Sequence, residues 1–209
     1  MRRGRLTLRF LAVVLLWCAM PRMDLRGQWS QEELSSGKGD MIGQVAPQWV
    51  PQGWVNSQPL DVEQLRGKVI LLRFFSDQPA GAAAVIELYR TYQAQGLAAV
   101  GMYVPEPMPT QTDPEQVRRL AAALGFAFPV AVDSRWETVN RYWLNRPDAE
   151  PWTATFLIDR SGVIRYIQPD GRYEKNSRDR KARGEYEKLE KLIQTLLKGT
   201  PPEQAGGGK

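Results

Sequence analysis

The run from Val69 to Phe75, VILLRFF, constrains the fold of this chain more than any other feature. It is a short, nearly continuous series of aliphatic, β-branched and aromatic residues. Such a run reads as a strand covered on both faces rather than one that alternates between core and water. Ala80 to Ala94 follows with helix formers, and Val85, Leu88, Tyr89 and Tyr92 recur at spacings of three and four. Leu97 to Val104 (LAAVGMYV) is a second buried strand. Asp113-Pro114-Glu115 then supplies an N-cap and a proline at the first helical position, and Gly125 supplies a stop. Phe128 to Val132 is a third strand. Thr155 to Asp159 and Val163 to Ile167 flank Arg160-Ser161-Gly162 as a hairpin, and Glu185 to Lys198 carries one apolar helical stripe. Strand, helix, strand, helix, strand, hairpin, helix calls for a parallel core with right-handed crossovers and antiparallel strands added at one side. The expected fold is α/β, a three-layer α/β/α sandwich around a central mixed sheet.

The ends of the chain have different compositions. Arg2, Arg3, Arg5 and Arg9 precede an apolar run from Phe10 to Met20, which is shorter than the ~20 residues a spanning helix needs. Residues 1–20 read as a signal peptide or an N-terminal anchor, so the protein is expected to be exported, either to the periplasm or cell envelope or as a secreted protein. Residues 21–44 are polar and rich in Gly and Ser, as in a linker, and the domain occupies 45–198. The tail 199–209 (GTPPEQAGGGK) has nothing to bury and is expected to be disordered. The net charge of +5 largely belongs to the leader: without its four arginines, 24 basic residues face 23 acidic ones. A basic balance is therefore no argument here for nucleic acid or a membrane surface.

Two counts remove most enzyme chemistry. The chain has no histidine and one cysteine, Cys18, inside the leader. Imidazole-assisted nucleophiles, imidazole-bound metals, internal disulfides, Cys-x-x-Cys pairs and multi-thiolate clusters are all excluded. Met102 and Met108 without His or Cys make a poor Cu(I) site and read as core or loop filling. No metal and no cofactor are expected.

The segments VAPQW (45–49), LDVEQLRGKVILLRFF (60–75), GLAAVGMYVPEP (96–107), FPVAVD (128–133) and TATFLIDRSGVIRYI (153–167), in that order, resemble the thioredoxin superfamily. The similarity is greatest to its redoxin branch, the TlpA-like thiol-disulfide oxidoreductases and the alkyl hydroperoxide reductase/thiol-specific antioxidant proteins. The resemblance implies cysteine chemistry in the turn after the FF strand. This chain has Ser76-Asp77-Gln78-Pro79-Ala80-Gly81-Ala82 there, with Pro79 and Ala82, or Gln78 after a one-turn slip, where sulfur would stand. The loop that the family ends with a cis-proline has Thr153 at the matching position and Pro151 two residues earlier, and Gln168 stands near where some relatives have histidine. The resemblance thus supports the fold and conflicts with the reaction, since a hydroxyl or carboxylate has no comparable redox couple.

Two functional readings follow. The first is a redox-inactive binding or scaffold module that keeps the former active-site groove, with Phe75, Ser76, Asp77, Gln78, Pro79, Trp152 and Thr153 as its candidate residues and a protein or extended peptide as its partner. The alternative is the thiol-disulfide oxidoreductase or peroxiredoxin-type activity that the resemblance implies. Against a binding role, Asp77 and Gln78 read more plainly as a turn that caps the next helix, and Trp152 reads equally as a rim aromatic packed on Trp143 or Tyr142. Asp133 and Asp159 sit at strand ends as turn caps. The stretch Arg172 to Arg183 offers a second surface, with Arg178, Arg180 and Lys181 as a patch for an anionic partner; its plainer reading is a solvated loop before the last helix. No glycine-rich phosphate loop or RNA-binding aromatic pattern accompanies it, so nucleic acid is not expected, and a membrane enters only through an uncleaved leader.

Overall fold

The computed structural model describes residues 41–77, 80–106, 112–145 and 153–199. Six strands form one mixed sheet in the order β1-β4-β3-β2-β5-β6. They are β1 (Gly53–Val55), β2 (Val69–Phe75), β3 (Leu97–Tyr103), β4 (Val130–Val132), β5 (Thr155–Ile158) and β6 (Ile164–Gln168). β2, β3 and β4 run parallel, while β1, β5 and β6 are antiparallel to their neighbours. Helices α1 (Ala82–Tyr92), α2 (Pro114–Leu124) and α4 (Arg180–Lys198) lie on one face. The other face is covered by α3, a short helix at Glu137–Val139 continued by a π turn over Asn140–Leu144, and by the irregular chain around Trp49, Val62 and Leu65. The expected sandwich is therefore present. No helix of the described residues is long and apolar enough to cross a membrane.

β2 explains why the sheet is central. All seven of its residues are buried: Val69, Leu71 and Phe75 enter the core under the three long helices, and Ile70, Leu72 and Phe74 enter the opposite one. Burying each such side chain contributes about 1.5–3 kcal/mol, so a strand that feeds both cores fixes its own register.

Several boundaries differ from the sequence reading, each for a local reason. β4 begins at Val130, not Phe128, because Pro129 cannot donate to a ladder. α1 begins at Ala82 after Gly81, whose φ of 71° only glycine adopts cheaply. The last helix begins at Arg180 rather than Glu185, because the Asp179 carboxylate accepts the Lys181 N–H at 2.8 Å and caps it. The end of the basic stretch is thus helix, not loop. β1 and α3 were not anticipated. Pairing also begins ahead of residue 45, since the Gly43 N–H donates to the Ile164 carbonyl at 2.8 Å. The hairpin turn is as expected: Asp159 Oδ1 accepts the N–H groups of Ser161 and Val163 at 2.8 and 2.9 Å.

Candidate functional site

The carboxyl end of β2 meets the start of β5, because Arg73 pairs with Thr155 across the antiparallel ladder. This places the turn after Phe75 opposite the loop before Thr155. Ser76 is half-buried and Asp77 exposed in the turn, and Thr153 is half-buried across from them. Gln78, Pro79 and Trp152 lie outside the described residues.

Phe75 has another role than the one expected. It is fully buried, 5.6 Å edge-on from Tyr103 and 5.3 Å from Phe126, because it shares parity with Val69 and Leu71 and points into the helix-side core. It supports the turn from below and offers no surface to a ligand. Asp77 does not cap α1, whose N-cap is Gly81 without a side-chain bond. Its carboxylate instead accepts the Tyr103 hydroxyl at 2.7 Å. Burial, and then Asp77, hold that phenol well above its ordinary pKa, so it remains a donor.

The residue that ties the site together is Arg73, the one charged member of β2, which a reading by hydropathy passes over. It is 1% exposed. Its Nη1 donates to the Thr153 carbonyl and to Thr155 Oγ1 (3.0 Å), and its Nη2 donates to the Ala80 carbonyl at 2.7 Å. One guanidinium thus joins the turn after β2, the loop before β5 and β5 itself. The Tyr173 ring lies 5.8 Å from its Cζ, and the Tyr173 hydroxyl shares a 2.9 Å bond with Thr155 Oγ1. Burial pulls the arginine pKa down, while Tyr173 and Asp170 oppose the shift. No carboxylate bonds it directly among the described residues; main-chain carbonyls, a hydroxyl and an aromatic face carry the charge instead.

The loop after β6 is shaped to fit this cation. Gln168 Oε1 accepts the Gly171 N–H at 2.6 Å, and Gln168 Nε2 donates to Asp170 Oδ1 at 2.6 Å. Gly171 has φ +66°, and a Cβ there would overlap the Arg73 guanidinium. A Cβ at Gly81 would likewise overlap the Gly171 carbonyl. A lone arginine in a strand otherwise fit for burial was the sequence signal for all of this.

The basic patch is less concentrated than its sequence. Lys175 pairs with Glu87 at 2.8 Å, and Arg183 donates to the Ser177 carbonyl at 2.6 Å. Arg178, Arg180 and Lys181 are exposed around the start of α4, without an ion pair among the described residues. Met102 is fully buried in the core, as expected; Met108 lies outside the described residues. The Asp133 carboxylate accepts the N–H groups of Thr138 and Val139 at 3.2 and 2.8 Å and so caps α3. The described residues contain no cluster of three or more metal-ligating groups. Among the described residues of the turn and the facing loop there is no thiol, and the hydroxyl that meets a carboxylate is that of Tyr103 on Asp77.

The AhpC/TSA family profile matches residues 42–167. Protein DipZ of Mycobacterium bovis is 31% identical over 157 residues, which is 72% of this chain but only 20% of that protein, so the chain spans about a fifth of DipZ. Thiol-disulfide oxidoreductase ResA of Geobacillus thermodenitrificans is 28% identical over 130 residues, 60% of this chain and 68% of ResA. Among solved structures, a thioredoxin-like superfamily protein superposes with a TM-score of 0.54 at 22% identity, over 76% of this chain and 99% of its own.

Proposed function

The chain belongs to the AhpC/TSA family, in the redoxin branch of the thioredoxin superfamily, and from that premise we propose that it is an exported binding module that uses the family's groove without the family's redox chemistry. The observation that carries this reading is Arg73. It fixes both walls of the groove through the carbonyls of Ala80 and Thr153, at a turn where the sequence has no thiol. A bound segment would pair with main-chain groups near Thr153, and Trp152 would supply aromatic contact area. The basic leader and short apolar run support export to the envelope or beyond. The printed name of ResA favours the other reading, thiol-disulfide exchange, which here would require thiols from a second protein.

The test compares variants of the mature chain in a pull-down from its own envelope fraction. Trp152→Ala should weaken capture of a stoichiometric partner at least tenfold, equivalent to ~1.4 kcal/mol, with circular dichroism unchanged. Replacing Arg178, Arg180 and Lys181 together by Gln should have a smaller effect at physiological salt. If the triple change abolishes capture and Trp152→Ala does not, the groove reading fails and the basic patch is the site.

A further inference from the structure

Positive charge gathers where α1 begins, and no carboxylate among the described residues answers it. The first bond of the helical ladder runs from the Val85 N–H to the Gly81 carbonyl at 3.2 Å, so the N–H groups of Ala82, Ala83 and Ala84 lie ahead of it. Their cap is Gly81, which has no side chain to offer them, and the first turn carries no acid. Such a helix start holds about half a positive charge and attracts anions. A buried cation lies against it. Arg73 Nη2 donates to the carbonyl of Ala80, the residue before the cap, at 2.7 Å, and the arginine is 1% exposed. Its Nε–H is buried and has no acceptor among the described residues. Buried donors are almost always paired, and a cation beside a helix N-terminus adds to its charge instead of cancelling it.

Arg172 brings a third positive group, at the surface. A Cβ at Gly81 would overlap the Gly171 carbonyl and stand 3.5 Å from that of Tyr173, so residues 171–173 run alongside the cap. Gly171 and Tyr173 are buried, and Arg172 between them is exposed, without an ion pair among the described residues. The neighbouring carboxylates are engaged elsewhere. Asp170 accepts from Gln168 Nε2 and from the main-chain N–H of Arg172, Asp77 from the Tyr103 hydroxyl, and Glu87 from Lys175. Glu174 is exposed and pairs with neither arginine.

We propose that the start of α1, with Arg172 beside it and Arg73 beneath it, is a carboxylate subsite that takes an Asp or Glu side chain of a bound protein segment. The carboxylate lies against the N–H groups of Ala82 and Ala83 and pairs with the Arg172 guanidinium. Arg172 is the exposed member and makes the contact. Arg73 is closed off from solvent and contributes its charge from below, where burial strengthens its field. This subsite rests on the groove reading and gives the partner its chemistry: an extended segment with an acidic side chain where it passes the loop after β6. An uncharged segment of the same shape would leave Arg172 unpaired, so the subsite selects among partners as well as holding one.

The test is an NMR titration of the full chain with acetyl-Ala-Glu-Ala-amide and with its Gln counterpart. The Glu peptide should shift the Ala82 and Ala83 amides saturably, and the Gln peptide should leave them in place. Arg172→Gln, with circular dichroism unchanged, should weaken binding of the Glu peptide about fivefold or more, and Arg172→Lys should restore part of it. Equal shifts with the two peptides, or binding untouched by Arg172→Gln, would overturn the proposal. Weaker partner capture by Trp152→Ala without carboxylate-dependent shifts would leave the groove reading standing and remove this subsite. Carboxylate-dependent shifts with capture unaffected by Trp152→Ala would keep the subsite and remove the groove reading.

Discussion

Gly171→Ala should be unusually damaging for the addition of one methyl group, and most of the damage should disappear in a chain that lacks Arg73. The backbone at Gly171 has φ +66°, which costs an L-residue about 1–2 kcal/mol. The new Cβ would also overlap a guanidinium that is fully buried and held by Thr153, Thr155 and Ala80. An exposed arginine would swing aside, but here retreat breaks charge-assisted hydrogen bonds worth about 1.5–3 kcal/mol each. The single substitution should therefore cost about 3–5 kcal/mol. Arg73→Met should cost about 2–4 kcal/mol, because carbonyls lose their donor while the expense of a buried charge is also removed. In the Arg73→Met background, Gly171→Ala retains only its left-handed backbone strain. The double variant should thus be at least ~2 kcal/mol more stable than the sum of the single effects predicts. Urea unfolding followed by circular dichroism measures this as shifts in midpoint at constant m. Additivity within ~0.5 kcal/mol would refute the placement of Arg73 against Gly171.

Asp133 gives a pH signature. Burial raises its pKa above the ordinary 3.8, and the backbone N–H groups of Val139 and Thr138 only partly offset this. The folded state therefore holds its proton more tightly than the unfolded chain. The stability contributed by Asp133 is present at low pH and lost as pH rises through the folded-state pKa. Asp133→Asn should flatten the slope of stability against pH above the ordinary carboxylate range, and an unchanged slope would assign it to another group. Tyr103→Phe removes the donor to Asp77 and should cost about 0.5–1.5 kcal/mol, with faster amide exchange confined to the turn after β2. Mass spectrometry of the protein from its native host should find the leader removed or membrane-held; an intact N-terminus on soluble cytoplasmic protein would contradict export.

The central strands were legible because VILLRFF and LAAVGMYV are buried on both faces, so hydropathy alone marks them. β1 was not, because GWV is three residues long and two of them are half-buried. The start of α4 was hidden inside a run of charges, where Asp179 looks like one more polar residue until its carboxylate is seen on the Lys181 N–H. The described residues of the candidate groove were misread in their contacts. Phe75 followed strand parity into the core, Asp77 turned to Tyr103, and Arg73 went unremarked because its neighbours are apolar. A charge buried between two loops is set by tertiary contacts eighty residues apart in sequence, as with Thr153 and Thr155, which no local pattern encodes.

The most direct measurement of the central claim is thiol chemistry by the chain carrying Cys18→Ser, which removes the sole cysteine. Insulin-disulfide reduction in the presence of dithiothreitol and turnover of hydrogen peroxide are each compared with a buffer blank. The account predicts rates equal to the blank, from a protein whose circular dichroism shows it folded. Turnover above the blank that co-purifies with the folded protein and scales with its concentration would contradict it.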